Sequence, residues 1–306
     1  MRFGEIRLIP VNGVGPEDVV VDAEGRIYTG LADGRVIRIS PDGRRIDTLA
    51  DTRGRPLGLE FYGADELLVC DADRGLLVLP IGGGEPRVLA TEALGLPLVL
   101  CNNAAVAADG TVYFSDSSRR FPVAQWRADL IEHTRSGRLL RRTPDGAIDL
   151  LADGLDFANG VALAADESFV AVAESGAFRV SKIALTGRRP GAASTLIDTL
   201  SGFPDNISTG TDGLIWVTQA SRRVAALDVI RRLPAPLRTL ARRAPAALQP
   251  SPNREVGVLG VPADGRIVRE LRGEVEGFHM LTGVRERDGL LYFGSLAERA
   301  VAILDR

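Results

Sequence analysis

Histidine is nearly absent from this chain: His133 and His279 are the only two. Cysteine is as scarce, with Cys70 and Cys101 alone. Zinc sites ordinarily draw on His and Cys, so structural or catalytic zinc is disfavoured. Two cysteines make no disulfide framework, and the expected state is a pair of buried free thiols. No apolar run approaches the roughly 20 residues of a membrane-spanning helix. The opening MRFGEIRLIPVNGVG lacks the long apolar core and small-residue cleavage site of a secretory signal. Neither sign of charge dominates: 37 Lys and Arg stand against 40 Asp and Glu, a net charge of -3. That leaves no basic footprint for nucleic acid. The expectation is a soluble cytoplasmic protein with no nucleic-acid partner and no transmembrane segment.

What is present is turn chemistry. The chain has 306 residues, 34 of them glycine, and 45% are hydrophobic. Most of it reads as short apolar strands broken by Asp-Gly turns. One unit recurs. Val19-Val20-Val21 is followed by a turn at Asp22 to Gly25, a strand from Arg26 to Gly30, a turn at Asp33-Gly34, a strand from Arg35 to Ile39, a turn at Asp42-Gly43 and a last strand from Arg44. Openings of the same kind fall near residues 18, 58, 102, 159, 205 and 282, with steps of about 40 to 57 residues and a longer last one. Four strands per repeat at this period predict an all-β, six-bladed β-propeller, a single domain over residues 1–306. The last repeat has about three strands. Phe3 to Ile9 can supply the fourth and close the ring, which removes exposed sheet edges.

Two stretches break the pattern. Residues 119–132 form an insertion in the third repeat. Residues 224–248 (VAALDVIRRLPAPLRTLARRAPAAL) have helical spacing split by prolines, and predict one or two short amphipathic helices inserted in the fifth blade. These helices could cap the channel as a lid. The cluster Arg231, Arg232, Arg238, Arg242 and Arg243 instead allows a membrane-surface or partner face.

In a propeller the first strands line the central channel and run in one direction, so their opening residues meet at one mouth. Glu17, Asn102, Asn159 and Asp205 occupy that position in four repeats, and Asn206 follows Asp205. Each alone reads as a turn residue bonding its own backbone. Aligned in phase, they read as an all-oxygen set for calcium, with magnesium or manganese as alternatives. Two carboxylates would neutralise a divalent ion. Without one they would be like charges crowded in a poorly solvated channel. Asp18 and Asn103 adjoin this set and, by strand alternation, point to the other side. They could hold a second cation or bond backbone amides. Trp126 and Phe121 lie in the third-blade insertion, where they line an apolar substrate pocket or pack on the insertion itself. His279 is expected near the channel mouth against substrate, and His133 on the surface.

The runs GPEDVVVD, DGTVYFSDSS, DFANGVALAADESFVAVAES, GFPDNIS with DGLIWV, and ERDGLLYFGSL resemble the strictosidine synthase-like proteins. These belong to a wider group with the gluconolactonase and serum paraoxonase families. The resemblance covers nearly the whole chain. It implies a six-bladed propeller with calcium in the central channel. Its ligands would be Glu17, Asn102, Asn159 and Asp205, with Asn206 joining as in the paraoxonase-like members. It also implies that Asp18, Asn103 and the backbone of Leu59 match a second, structural calcium, although Asn103 departs from the usual Asp. The group's hydrolases open lactones or cleave esters and organophosphates. A channel His of the paraoxonases is Leu57 here, which leaves Asp205 as the candidate base. The plant synthases use a late glutamate to condense an amine with an aldehyde, and here that place is about Thr282. The resulting expectation is a calcium-dependent lactonase or esterase acting on a small-molecule lactone or ester. The alternatives are a non-catalytic propeller that binds a small molecule or partner, and a condensing enzyme, which the missing acid disfavours.

Overall fold

The computed structural model describes residues 2–305. Six four-stranded antiparallel sheets are arranged as blades of a propeller. Their first strands are Val19–Val21, Pro56–Tyr62, Cys101–Val106, Ala158–Leu163, Gly202–Thr209 and Leu281–Arg287. Each first strand touches the next, and Val19–Val21 meets Leu281–Arg287, so the circle is complete. The sixth sheet contains Leu281–Arg287, Leu290–Ser295 and Ala300–Asp305, and its outer strand is Ile6–Pro10 from the N-terminal end. Register runs from Ile6 opposite Leu304 to Pro10 opposite Ala300. The expected closure is therefore present, with a strand that begins three residues later and ends one residue later than the sequence suggested.

The turns follow from local chemistry. At Asp109, Asp212 and Asp264 the carboxylate accepts the amide of the residue two positions on, at 2.8, 3.0 and 2.9 Å. Gly110 follows with φ 86° and Gly213 with φ 74°, a region a β-carbon disfavours. Blade strands next to the channel and in the middle of the sheet are buried on both faces. Phe169–Glu174 and Val112–Asp116 expose no residue, while outer strands such as Ala193–Ile197 are half exposed. Burial on both faces explains why the middle strands read as unbroken apolar runs rather than alternating ones.

The core is six apolar layers, one between each pair of neighbouring blades. Cys70 and Cys101 are buried free thiols in the layer between the second and third blades. Phe114 is fully buried in the same layer. Truncating it to alanine would cost about 3–5 kcal/mol. A seventh cluster lies outside these layers and joins Leu57, Leu100, Phe157, Leu130, Ile131 and Leu227. It packs two insertions onto one mouth of the channel. The third-blade insertion contributes α1, Trp126–Glu132. The fifth-blade insertion contributes α2, Ala225–Arg231, and α3, Ala235–Arg243. Leu233-Pro234 separates them, consistent with the expected proline split. A short hairpin, Glu92–Ala93 with Leu96–Pro97, was not apparent in the sequence.

Candidate metal centre and substrate cavity

Five of the six first strands lose regular register near the start: between Pro56 and Leu59, Cys101 and Ala104, Ala158 and Val161, Pro204 and Ile207, and Leu281 and Val284. Such irregularities re-aim side chains. Here they act on residues of the expected metal set. The strand openings are also tied down. Asp71, Asp116 and Glu174, at the ends of second strands, accept the backbone amides of Arg55, Leu100 and Asp156 at 3.0, 2.9 and 3.1 Å. Sequence reading missed these three acids, because in the sequence they look like ordinary strand-end residues.

Glu17, Asn102, Asn159 and Asp205 line one cavity of about 50 Å³ at the channel mouth. Leu57 and Thr282 complete its ring of first-strand positions. Asn102, Asn159 and Asn206 are almost wholly buried, yet the side-chain oxygen of each has no hydrogen-bond partner. The other end of each amide is fixed. Asn102 Nδ2 donates to Ser117 Oγ at 2.9 Å and Asn159 Nδ2 to Ser175 Oγ at 3.2 Å. Asn206 Nδ2 reaches both carboxylate oxygens of Glu17, at 3.1 and 3.2 Å. Ser175 Oγ in turn donates to Pro204 O at 2.6 Å. A buried, unpaired polar oxygen costs about 1–3 kcal/mol. Three in one channel mouth make an unusual concentration.

The carboxylates take hydrogen bonds from amides, but among the described residues no salt bridge reaches Glu17 or Asp205. Burial raises the Glu17 carboxyl well above its usual range, helped by Asp205 and Asp18 and opposed by Arg55. Burial raises Asp205 to about 7, against the stabilising hydrogen bond from Asn159. Arg55, which sequence reading did not single out, is buried and donates to Gly15 O at 3.1 Å instead of to a carboxylate. Glu17, buried, and Asp205, half-buried, both without a salt bridge among the described residues, together with three buried amide oxygens that have no hydrogen bond, fit a hard divalent cation. Among the described residues no group of three or more His, Cys, Asp or Glu side chains is placed to hold a metal, so any metal site here depends on amide oxygens.

The next positions along the first strands form a second ring: Asp18, Gly58, Asn103, Gly160, Asn206 and Gly283. Polar residues and glycines alternate around it. A β-carbon on Gly58 would lie 2.6 Å from Asn103 Cα, one on Gly160 2.2 Å from Ile207 N, and one on Gly283 2.7 Å from Asp18 Cα. The glycines let neighbouring blades approach at the axis. Asp18 and Asn103 line neither cavity and meet each other across blades, with Asn103 Nδ2 donating to Asp18 Oδ2 at 3.1 Å. Leu59 N donates to the same oxygen at 3.1 Å, Val19 N to Asp18 Oδ1 at 2.9 Å, and Val161 N to Asn103 Oδ1 at 2.9 Å. Protein donors thus satisfy the groups considered for a second ion, which contrasts with the first ring. Burial nevertheless raises Asp18 to about 6.

A second cavity, of about 60 Å³, adjoins the first. The two share Trp126, Phe157, Asn159, Asp205 and Met280 as walls. Trp126 lines both cavities and also packs on the cluster beneath the insertions. Phe121 does not line either cavity. It is buried beneath Arg242 of α3, whose guanidinium carbon lies 5.5 Å from the ring centre, so it packs the insertions together. His279 also lines neither cavity, because its ring pairs with Glu298. The adjacent Met280 turns in instead. Met280 and Phe157 both adopt positive φ, 47° and 61°, two residues before the ring positions Thr282 and Asn159. Such backbone costs of order 1–3 kcal/mol each, and nothing in the sequence marks it. His133, expected on the surface, is half-buried in a cluster with Asp156 and Arg231, at 2.6 and 2.5 Å from Asp156 Oδ2. Arg242 pairs with Glu132 at 2.5 Å. Two arginines of the fifth-blade insertion thus clamp it over the third and fourth blades, and Leu227 of α2 becomes a wall of the second cavity.

These features define a six-bladed propeller with a polar, carboxylate-bearing channel mouth beneath an apolar roof. Family models described as strictosidine synthase and as strictosidine synthase-like, N-terminal, match residues 102–188 and 2–39. The strictosidine synthase-like 6 protein of Arabidopsis thaliana is 32% identical over 303 residues, covering 96% of this chain and 80% of that protein. This chain belongs to the strictosidine synthase-like family. Among solved structures, a gluconolactonase of Xanthomonas campestris superposes with TM-score 0.69 at 19% identity, covering 99% of this chain and 91% of that one. A calcium-binding regucalcin of Agrobacterium tumefaciens superposes with TM-score 0.69 at 14% identity, covering 99% and 94%. At these identities the shared property is the fold.

Proposed function

We propose that this protein is a calcium-dependent hydrolase that opens lactones or cleaves esters at the channel mouth. The observation that carries the reading is the set of three buried amide oxygens with no hydrogen bond, beside two carboxylates that no salt bridge reaches among the described residues. Glu17, Asp205, Asn102, Asn159 and Asn206 would hold the cation. Two acidic side chains match the charge of a divalent ion, and oxygen donors favour calcium over softer metals, with magnesium or manganese as alternatives. When bound, the ion would polarise a carbonyl and stabilise the negative charge that develops on its oxygen.

The chain's own residues do the rest. Ser117 and Ser175 hold the amides so that their oxygens face the cavity. Trp126, Phe157 and Met280 present apolar surface to the acyl or lactone portion and exclude water from the walls. Asp205 is the one carboxylate that lines both cavities, where it can take a proton from an attacking water. Glu17 lines only the first cavity and is held by Asn206, which suits it to charge balance. The condensing alternative needs an acid late in the sixth blade. Thr282 stands there, its hydroxyl donating to Glu17 O at 2.6 Å.

The names of the structural neighbours, a gluconolactonase and a calcium-binding regucalcin, are in keeping with this reading. A panel of lactones and aryl esters, assayed in calcium and in chelator, tests it. Turnover that requires calcium is the expected result. Turnover that persists after complete chelation overturns the metal role. Calcium that raises Tm without turnover of any substrate favours the non-catalytic binding propeller.

A further inference from the structure

Within the fifth-blade insertion, α2 buries Leu227 against the channel mouth, but α3 carries its leucines outward. Within α3, Arg238 and Arg242 turn toward the protein. Arg238 donates to the carbonyls of Arg231 and Leu233, and Arg242 pairs with Glu132 of α1. Leu237 and Leu240, one helical turn apart, are 48% and 66% exposed, and no residue of α3 is buried. A surface helix normally does the reverse. Val229 of α2 and Leu248 just beyond α3 are also exposed. Four of the eleven large hydrophobic residues exposed among the described residues thus fall within this one insertion. Isolated exposed leucines need no explanation, but a cluster marks a contact surface.

Charge identifies the occupant. Residues 224–248 carry five arginines and a single acid, Asp228, on a chain whose net charge is -3. Arg243 borders the same shallow groove as Leu237 and Leu240, and Arg232 is exposed beside it. Arg231 and Arg242 are ion-paired inward, so the face presents Arg232 and Arg243. A second copy docking by the same face would set these like charges against each other, which is unfavourable. An anionic lipid surface meets both demands: acyl chains for the leucines and phosphates for the arginines. We propose that α3 and its flanks dock this protein on anionic lipid, with Leu237 and Leu240 inserted and Arg232 and Arg243 at the headgroups. Because α2 also walls the second cavity, docking would bring the lipid surface close to that cavity. The proposal does not depend on the hydrolase reading.

Vesicle flotation tests it, using neutral phosphatidylcholine and phosphatidylcholine with about 30% phosphatidylglycerol. The full chain should float with the anionic vesicles and be released as salt is raised to about 0.5 M. The double variant Leu237→Ser/Leu240→Ser should lose about tenfold or more in partitioning. Arg232→Gln/Arg243→Gln should lose anionic selectivity. Both should keep the wild-type Tm, since neither pair is buried or lines the cavity. No flotation of the wild type, or equal flotation of the leucine variant, overturns the proposal. So does a concentration-dependent dimer that the leucine variant abolishes, which would make a second copy the occupant.

Discussion

The two ends of the central channel are built on opposite rules. At the far end, Glu60 meets Arg285 at 3.0 Å, and Ser208 donates to Val284 O at 2.6 Å. The carboxylate there is paired and the hydroxyl is used, while Arg285 Nε has no partner. At the capped end, Glu17 and Asp205 have no salt bridge among the described residues, and three amide oxygens have no hydrogen bond. Between them lies the ring of Asp18, Asn103 and Asn206, in which the oxygens of Asp18 and Asn103 take protein donors and that of Asn206 does not. The oxygens of Glu60, Ser208, Asp18 and Asn103 thus take protein partners. The concentration of unpaired amide oxygens near one mouth argues for a ligand there.

The largest expected effect separates chemistry from fold. Asp205→Asn should lower turnover by roughly 10²–10⁴-fold while thermal unfolding stays cooperative. Retained turnover would break the contrast between the ends. Next is Gly160→Ala, whose new β-carbon would sit 2.2 Å from Ile207 N. Denaturant titration should show a loss of about 1–3 kcal/mol or more. Ser175→Ala frees the Asn159 amide to rotate, and calorimetry should record calcium affinity about 10–100-fold weaker.

A pH series sharpens the comparison from another side. Asp205 and Asp18 are raised by burial to about 7 and about 6, and Glu17 moves the same way. The folded protein thus keeps protons that the unfolded chain releases above about pH 4. In chelator, Tm should fall as pH rises from about 4 to 7 and then level. Calcium should remove most of that fall. The smallest effect belongs to the far end: Glu60→Gln should cost about 1 kcal/mol and leave calcium affinity and turnover unchanged.

Much of the fold is legible in the chain because each hairpin is specified locally. Asp109-Gly110 and Asp212-Gly213 carry their own turn chemistry, and the apolar runs between them need no distant partner to be recognised. The repeat phase then places Glu17, Asn102, Asn159 and Asp205 at one mouth, and all four line one cavity. Residues in irregular insertions were harder. Phe121 and His279 were placed against substrate from proximity alone, but each side chain found a better partner, Arg242 and Glu298. For Asp18 and Asn103 the sequence left a second cation and backbone amides open, and the amides of Val19, Leu59 and Val161 bond them.

By itself the sequence determined the number of blades, the closing N-terminal strand and the first ring of oxygen-bearing residues. These depend on short-range turns and on periodicity. Only the tertiary structure decided which amide oxygens stay unpaired, why glycine alternates with polar residues in the second ring, and which face of α3 meets solvent. Each of those depends on contacts between residues dozens to hundreds apart, such as Asn206 with Glu17. No local pattern specifies such contacts before the ring has closed.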